Sequence, residues 1–547
     1  MAIQFASNFI TFLLSMMING SKKVKAPNVE RLPPGPPKLP VIGHLHHIIG
    51  SQPHHHPLRN LATKYGPVMH LEFGEVSTII ISSAEAARMV LKTHDPACAD
   101  RPKTMAAEIM WYNCSDIMFS PYGDYWRQMR KICITELLSA KNVRSFEHIR
   151  EDEASLLIAS IRSTRGQPFD LTRKIFLFMN SMTCRAAFGN ASMDRAAAIE
   201  LIKQAFGLVG HFDLADLFPS IKLFSFISNN KLKLLKMRRE LDKILDGVID
   251  EHRDNRSSTK KGYGELGTED LVDVLLRLKE SDQLHLPITN DGVKAVIFVS
   301  NIVLYLSGNL VKLSNSYINP EKLGTFNSSH LSPITLHMNF LQDMFAAGTE
   351  TASTTVDWAM AELMKNPSVM AKAQREIRRA FSGRNTIKES EIRTLKYLKL
   401  VVNETLRLHP PVSIIPRASR EEFEMEGHHI PLNANIIVNI WSIGRDPKYW
   451  QNPESFEPER FEKSPIDFLG SDFEYIPFGS GKRVCPGMRF GVASIEFLLA
   501  QLLYHFDWKL PTGIGGDDMD MAEADGITVS RKSPLRLIAE PYLPVSG

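Results

Sequence analysis

The chain has 547 residues, 44% hydrophobic and 23% charged, with 64 Lys and Arg against 61 Asp and Glu for a net charge of +3. This composition excludes a disordered chain, a collagen-like repeat and a disulfide miniprotein, and the near balance of charge points away from a nucleic-acid partner, which needs a basic face or stripe. The cysteines are Cys98, Cys114, Cys133, Cys184 and Cys485, an odd number without a CxxC pair. That argues against a disulfide framework and a structural zinc site, and for a reducing compartment.

Residues 3–18 are mostly apolar but broken by Gln4, Ser7, Asn8 and Thr11, and Lys22, Lys23 and Lys25 follow the run. A full span wants about 20 apolar residues, so the segment is marginal in length. Its charge order is the reverse of a secretory leader and fits a signal-anchor (residues 1–21) that leaves the body of the chain on the cytosolic side. A cleaved leader or a mobile N-terminus is the alternative. Within the basic stretch 22–43, Leu32-Pro33-Pro34-Gly35-Pro36-Pro37 forbids helix and central strand, and predicts a stiff, extended connector between anchor and globule.

Residues 68–83 alternate like strands, and the chain to about residue 400 then reads as helix, clearest at 121–138, 154–162, 231–252, 351–363 and 367–381. A second extended region is expected around 423–439. Residues 254–267 (DNRSSTKKGYGELG) read as a solvated surface loop.

Near the C-terminus stands Phe478-Gly479-Ser480-Gly481-Lys482-Arg483-Val484-Cys485-Pro486-Gly487, followed by an apolar helical run. The glycines permit tight turns and close approach of a flat ligand, and the helix start behind Cys485 aims unpaired N–H groups at the sulfur, which favours a thiolate. Taken alone, such a cysteine is more often a core residue or a reactive thiol.

The whole string resembles the haem-ligand loop of the cytochrome P450 superfamily, in which Phe, Gly, Cys and Gly recur at the spacing of Phe478, Gly481, Cys485 and Gly487. Trp126-Arg127-Gln128-Met129-Arg130, Ala347-Gly348-Thr349-Glu350-Thr351, Glu404-Thr405-Leu406-Arg407 and Phe456-Glu457-Pro458-Glu459-Arg460-Phe461 extend the likeness from about residue 30 to the end. It is strongest toward plant microsomal members that hydroxylate terpenoids, sesquiterpenes among them. The resemblance implies a mainly α fold with a small β-rich N-terminal part, spanning residues 44–547. It implies haem b ligated by the Cys485 thiolate, which pushes electron density into the iron and favours O–O cleavage.

By the same resemblance, Trp126 and Arg130 reach the haem propionates, aided by Arg417 and Arg483. Glu350 and Thr351 relay protons to bound dioxygen, and Glu404, Arg407 and Arg460 form a structural triad under the haem. Glu404 and Arg407, three apart on one helix face, pair in any case, and a solvated pair contributes only ~0.3–0.5 kcal/mol. Arg127, Lys131 and Lys482 would face an acidic reductase that brings electrons from NADPH. The apolar pocket would be lined by residues 105–119, 206–212, 346–351, 412–415 and 524–528, with a terpenoid as substrate and an alkaloid or phenolic as the alternative. The implied setting is the endoplasmic reticulum membrane.

One stretch departs from the family. Residues 289–298 and 343–353 read as two halves of the helix that carries the oxygen site, separated by the 44 residues 299–342. With that stretch removed, Val293, Ile297, Met344 and Gly348 fall at i, i+4, i+7 and i+11, the stripe of a single helix. The stretch holds only Lys312, Glu321 and Lys322 as charges, six asparagines, Pro320 and Pro333. Val299-Ser300 is encodable by GTAAGT and Phe340-Leu341-Gln342 by a pyrimidine-rich run ending in CAG, the usual intron edges. The reading is translated intron, from an unspliced transcript or a misdrawn gene, within a 503-residue parent. The rival is a genuine insertion led by an apolar segment at 302–306, but a long loop splitting a core helix is physically disfavoured.

Overall fold

The computed structural model describes residues 31–50, 52–188, 213–258, 270–280, 342–511, 515–516, 518–524 and 526–542. Its longer helices are α1 (His55–Tyr65), α2 (Asp124–Ile132), α3 (Glu147–Arg162), α4 (Leu171–Phe188), α5 (Asn229–Ser258), α6 (Gln342–Lys365), α7 (Pro367–Ala380), α8 (Tyr397–Leu408) and α9 (Met488–His505). A sheet of β1 (Val68–Phe73), β2 (Val76–Ile81), β3 (Ile414–Ala418) and β4 (Asn435–Asn439) runs in the order β1-β2-β4-β3. The β1–β2 and β3–β4 pairs are antiparallel, whereas β2 and β4 pair in parallel with Ile81 opposite Val438. The fold is therefore mainly helical with small sheets, as expected, and the largest joins the early strands 68–81 to strands from residues 414–439.

The core is built around α6, which packs on α4, α8 and α9. Val356, Trp358 and Ala359 of α6 and Leu498, Leu499 and Leu502 of α9 are fully buried. Burial on this scale, about 25 cal/mol per Å² of apolar surface, is what holds α9 and hence the cysteine loop before it. The helix α2 continues into a π turn at Cys133–Leu137, which completes the helical stretch expected to residue 138.

The Pro-rich run is extended, as its fixed φ angles require, and is docked on the sheet rather than free. The β1 residue His70 donates its N–H to the Pro34 carbonyl at 2.9 Å. Gly35 lies so close that a Cβ there would sit 2.3 Å from the His70 carbonyl oxygen.

One reading is corrected: residues 254–258 close α5 instead of opening a loop, because DNRSS contains no helix breaker and the first glycine comes at Gly262. The anchor segment 1–21, the pocket stretch 206–212, residues 289–298 and all of 299–342 except Gln342 lie outside the described residues. Among the described residues no helix is long and apolar enough to cross a membrane.

Candidate active site at the Cys485 loop

The loop that carries Cys485 is shaped by a segment almost 400 positions earlier in the chain. Gly481 adopts φ +71°, and a Cβ there would lie 2.1 Å from the Leu91 carbonyl oxygen and 2.6 Å from Asp95 Oδ2. The same Asp95 oxygen accepts the Lys482 N–H at 2.7 Å. Only a residue without a side chain can make this turn against that wall. The Cys485 N–H then donates to the Phe478 carbonyl at 2.9 Å, closing the loop on itself. The Phe478 ring packs edge-on against Phe468. Gly487 stands at the N-terminal cap of α9, where a Cβ would be 3.9 Å from Cys485 Sγ.

Burial pushes the Cys485 thiol up from its ordinary value, while the Gly487 and Met488 N–H groups and the Arg130 charge oppose that rise. The aimed donors thus favour the charged form of the sulfur, as does a metal cation, which deprotonates a coordinating thiol outright.

Three of the expected propionate-binding cations converge beside the loop. Arg130 stacks on Trp126 at 5.3 Å and donates to the Val484 carbonyl at 2.5 Å. Arg483 lies 4.4 Å from the same indole and donates to the carbonyls of Ala99 at 2.8 Å, Ile117 at 3.1 Å and Ser120. The Trp126 N–H is itself bonded to the Ile117 carbonyl at 2.9 Å. Arg417 differs. It is 1% exposed, its Nε has no partner, and its contacts to the Ser480 and Pro416 carbonyls are long, at 3.5 Å. Burial and the neighbouring Arg483 charge lower its pKa to about 9, and burial likewise lowers Arg483 to about 9. Buried cations of one sign, one with an orphaned donor, fit a bulky anionic group such as a haem carboxylate. Of the expected set, Arg417 has the spare donor capacity, whereas the Trp126 N–H and the Arg483 donors are engaged by backbone.

The triad is assembled as expected. Arg407 forks onto Glu404 with both contacts at 2.8 Å, and Arg460 adds a third at 2.9 Å. Arg407 also donates to the carbonyls of Gly444 at 2.7 Å, Pro453 at 2.7 Å and Ser455 at 3.0 Å. Glu404 and Arg407 side chains are both 0% exposed, so the pair is a core element and the surface-pair magnitude does not apply to it.

Glu350 and Thr351 lie on α6, the helix packed against α9. Both are part-buried, and their neighbour Thr349 carries a buried hydroxyl without a partner. The basic trio is partly gathered by Tyr122, whose ring lies 5.4 Å from the Arg127 guanidinium and 5.7 Å from the Lys482 ammonium, with Lys131 exposed on α2. Asp95 and the carbonyls of Ala99, Ile117 and Ser120 were missed from sequence, and no local signal marks them.

The cytochrome P450 family model matches residues 33–300 and 320–537. The chain is a cytochrome P450. Premnaspirodiene oxygenase of Hyoscyamus muticus is 48% identical over 545 residues, and 5-epiaristolochene 1,3-dihydroxylase of Nicotiana tabacum 48% identical over 547, each comparison covering 99% of both chains. Cytochrome P450 71D7 of Solanum chacoense is 49% identical over 539 residues, 98% of both. A zebra fish cytochrome P450 solved with abiraterone matches with a TM-score of 0.67 at 22% identity, covering 89% of this chain and all of that one, and confirms the fold. This P450 is a monooxygenase whose cofactor is a cysteine-ligated haem iron, with O2 and a small molecule as substrates and a redox partner as electron source.

Proposed function

We propose that this P450 hydroxylates a terpenoid, most closely a sesquiterpene, with Cys485 as the iron ligand and an NADPH-dependent reductase as the partner. The observation that carries the ligand is the Gly481–Asp95 turn, which holds a part-buried sulfur beside converging cations. Two of the relatives carry sesquiterpene names, and the segments 105–119 and 412–415 contribute buried apolar groups such as Met110, Trp111, Ile117 and Ile415.

When bound, the haem supplies reductive activation of O2 and insertion of one oxygen atom into a C–H bond. This chain's residues do the rest. Arg417 and Arg130 orient the carboxylates, the Gly487 and Met488 N–H groups stabilise charge on the sulfur, and Glu350 with Thr351 deliver protons from the α6 side. Arg127, Lys131 and Lys482 offer the reductase a positive face. Residues 1–21 anchor the protein in the endoplasmic reticulum membrane with the catalytic part in the cytosol.

Residues 299–342 are carried intron sequence in this reading. The family model leaves residues 301–319 unmatched between its two parts, inside that stretch. Sequencing the message decides it, since a spliced message that retains 299–342 defeats the idea.

The reduced, carbon monoxide-treated absorption spectrum tests the centre. The expected result is a thiolate-type haem band in the chain and its loss in Cys485→Ser; survival of both band and turnover in that variant refutes the assignment. Turnover of a terpene panel with reductase and NADPH then tests the substrate. A requirement for neither NADPH nor O2 would favour a rearranging enzyme instead, which the Glu350–Thr351 pair argues against. A chain that binds no haem is the outcome expected if the inserted stretch blocks folding.

A further inference from the structure

We propose that the start of α1 and the loop after α9 form a site for a zinc-type divalent cation, made by His55, His56 and Glu523. The two imidazoles converge on one carboxylate oxygen: His55 Nε2 lies 2.7 Å and His56 Nε2 2.8 Å from Glu523 Oε2. The three donor atoms lie within 4.8 Å of one another. Two imidazoles and a carboxylate are the donor set that Zn²⁺ takes, and the three leave a fourth position for water.

The surroundings fix these groups as an outer shell does. Trp441 Nε1 donates to the other carboxylate oxygen, Glu523 Oε1, at 3.2 Å. Asn439 Nδ2 donates to the His55 carbonyl at 2.9 Å, which fixes the backbone that carries the first ligand. Arg59 and Arg445 nearby both pair with Glu454, at 2.8 and 3.0 Å, and the Arg445 charge, which also acts on Glu523 and His55, is partly offset by that pairing. The His55 and Glu523 side chains are 2% and 9% exposed, whereas His56 is 31% exposed, so an ion enters past His56.

Ligands about 2.0–2.1 Å from a tetrahedral ion stand about 3.3 Å apart, so the cluster opens by roughly 0.5 Å on binding. Each imidazole then presents the Nε2 lone pair and carries its proton on Nδ1. The ion clamps α1 to the residue that immediately precedes the 524–528 loop. This site stands apart from the haem assignment, so either can fail alone.

The test is titration of the haem-containing full chain with Zn²⁺ against a fluorescent chelator, beside His56→Ala and Glu523→Gln, with circular dichroism as the fold control. His56 is part-exposed, and the Gln amide keeps an acceptor for Trp441. The expected result is one equivalent held at least tenfold more tightly than in either variant, with a rise in wild-type melting temperature. Equal binding in all three chains overturns the site. A wild-type melting temperature unmoved by one equivalent of zinc overturns it without recourse to any variant.

Discussion

Replacing Arg407 with alanine removes a guanidinium that is 0% exposed and makes five hydrogen bonds, two to Glu404 and three to the carbonyls of Gly444, Pro453 and Ser455. Glu404 keeps Arg460 Nε at 2.9 Å and the Glu457 N–H at 2.8 Å but loses its bidentate partner inside the core. Breaking a buried pair by removing one member costs about 3–5 kcal/mol, a large share of the ~5–15 kcal/mol that holds a domain folded. Arg460→Ala is the internal control. It removes one charge-assisted contact to the buried Glu404, together with contacts at the exposed end to the Gln451, Asn452 and Ser455 carbonyls and to Glu457, and leaves the Arg407 fork intact, for a cost of about 1.5–3 kcal/mol. Denaturant unfolding followed by circular dichroism, with the haem spectrum recorded in parallel, should place Arg407→Ala well below Arg460→Ala in midpoint and in retained haem. Arg407→Lys should fall between them, because an ammonium cannot fork. Equal midpoints for Arg407→Ala and Arg460→Ala, or a loss under about 1 kcal/mol in the former, would show that the Glu404–Arg407 pair behaves as a solvated one.

Gly481→Ala should cost about 2–5 kcal/mol and most of the bound haem, since it combines a left-handed φ of +71° with a Cβ 2.1 Å from the Leu91 carbonyl; an unchanged melting temperature refutes the close approach. Burial alone lowers the His252 pKa, but the Asp270 carboxylate at 2.9 Å reverses this and raises it to about 9. A raised folded pKa stabilises fully below pH 6.5 and loses that contribution as pH climbs through about 9, so the stability gap between wild type and His252→Gln should shrink over that window. A gap that is flat or grows with pH contradicts the ion pair. Deleting residues 299–342 should raise the haem bound per chain, and an unchanged or lower haem content would show that the stretch belongs to the working protein.

Periodic and short-range features were legible in the sequence, and long-range partners were not. Strands, the main helices and the Glu404–Arg407 spacing follow from residues within a few positions of one another. Whether that pair is solvated or buried is set by Gly444, Pro453 and Ser455, which lie 37 to 48 positions away and leave no local signal. The Cys485 loop was recognisable from its glycines, yet the reason Gly481 must be glycine sits at Leu91 and Asp95. The donors aimed at the sulfur were readable locally, whereas the burial that opposes them is a property of the whole fold. The end of α5 was placed too early because a polar run without glycine or proline carries no stop signal.

The pairing of Lys482 with Asp95 spans 387 positions of chain. At ~5–20 residues per second, a ribosome needs roughly 20–80 s to travel between the two. For that interval Leu91 and Asp95 are already made, and the turn they shape is not. Cofactor capture at this loop is therefore an event of late synthesis, since wall and turn meet only in a chain long enough to hold both.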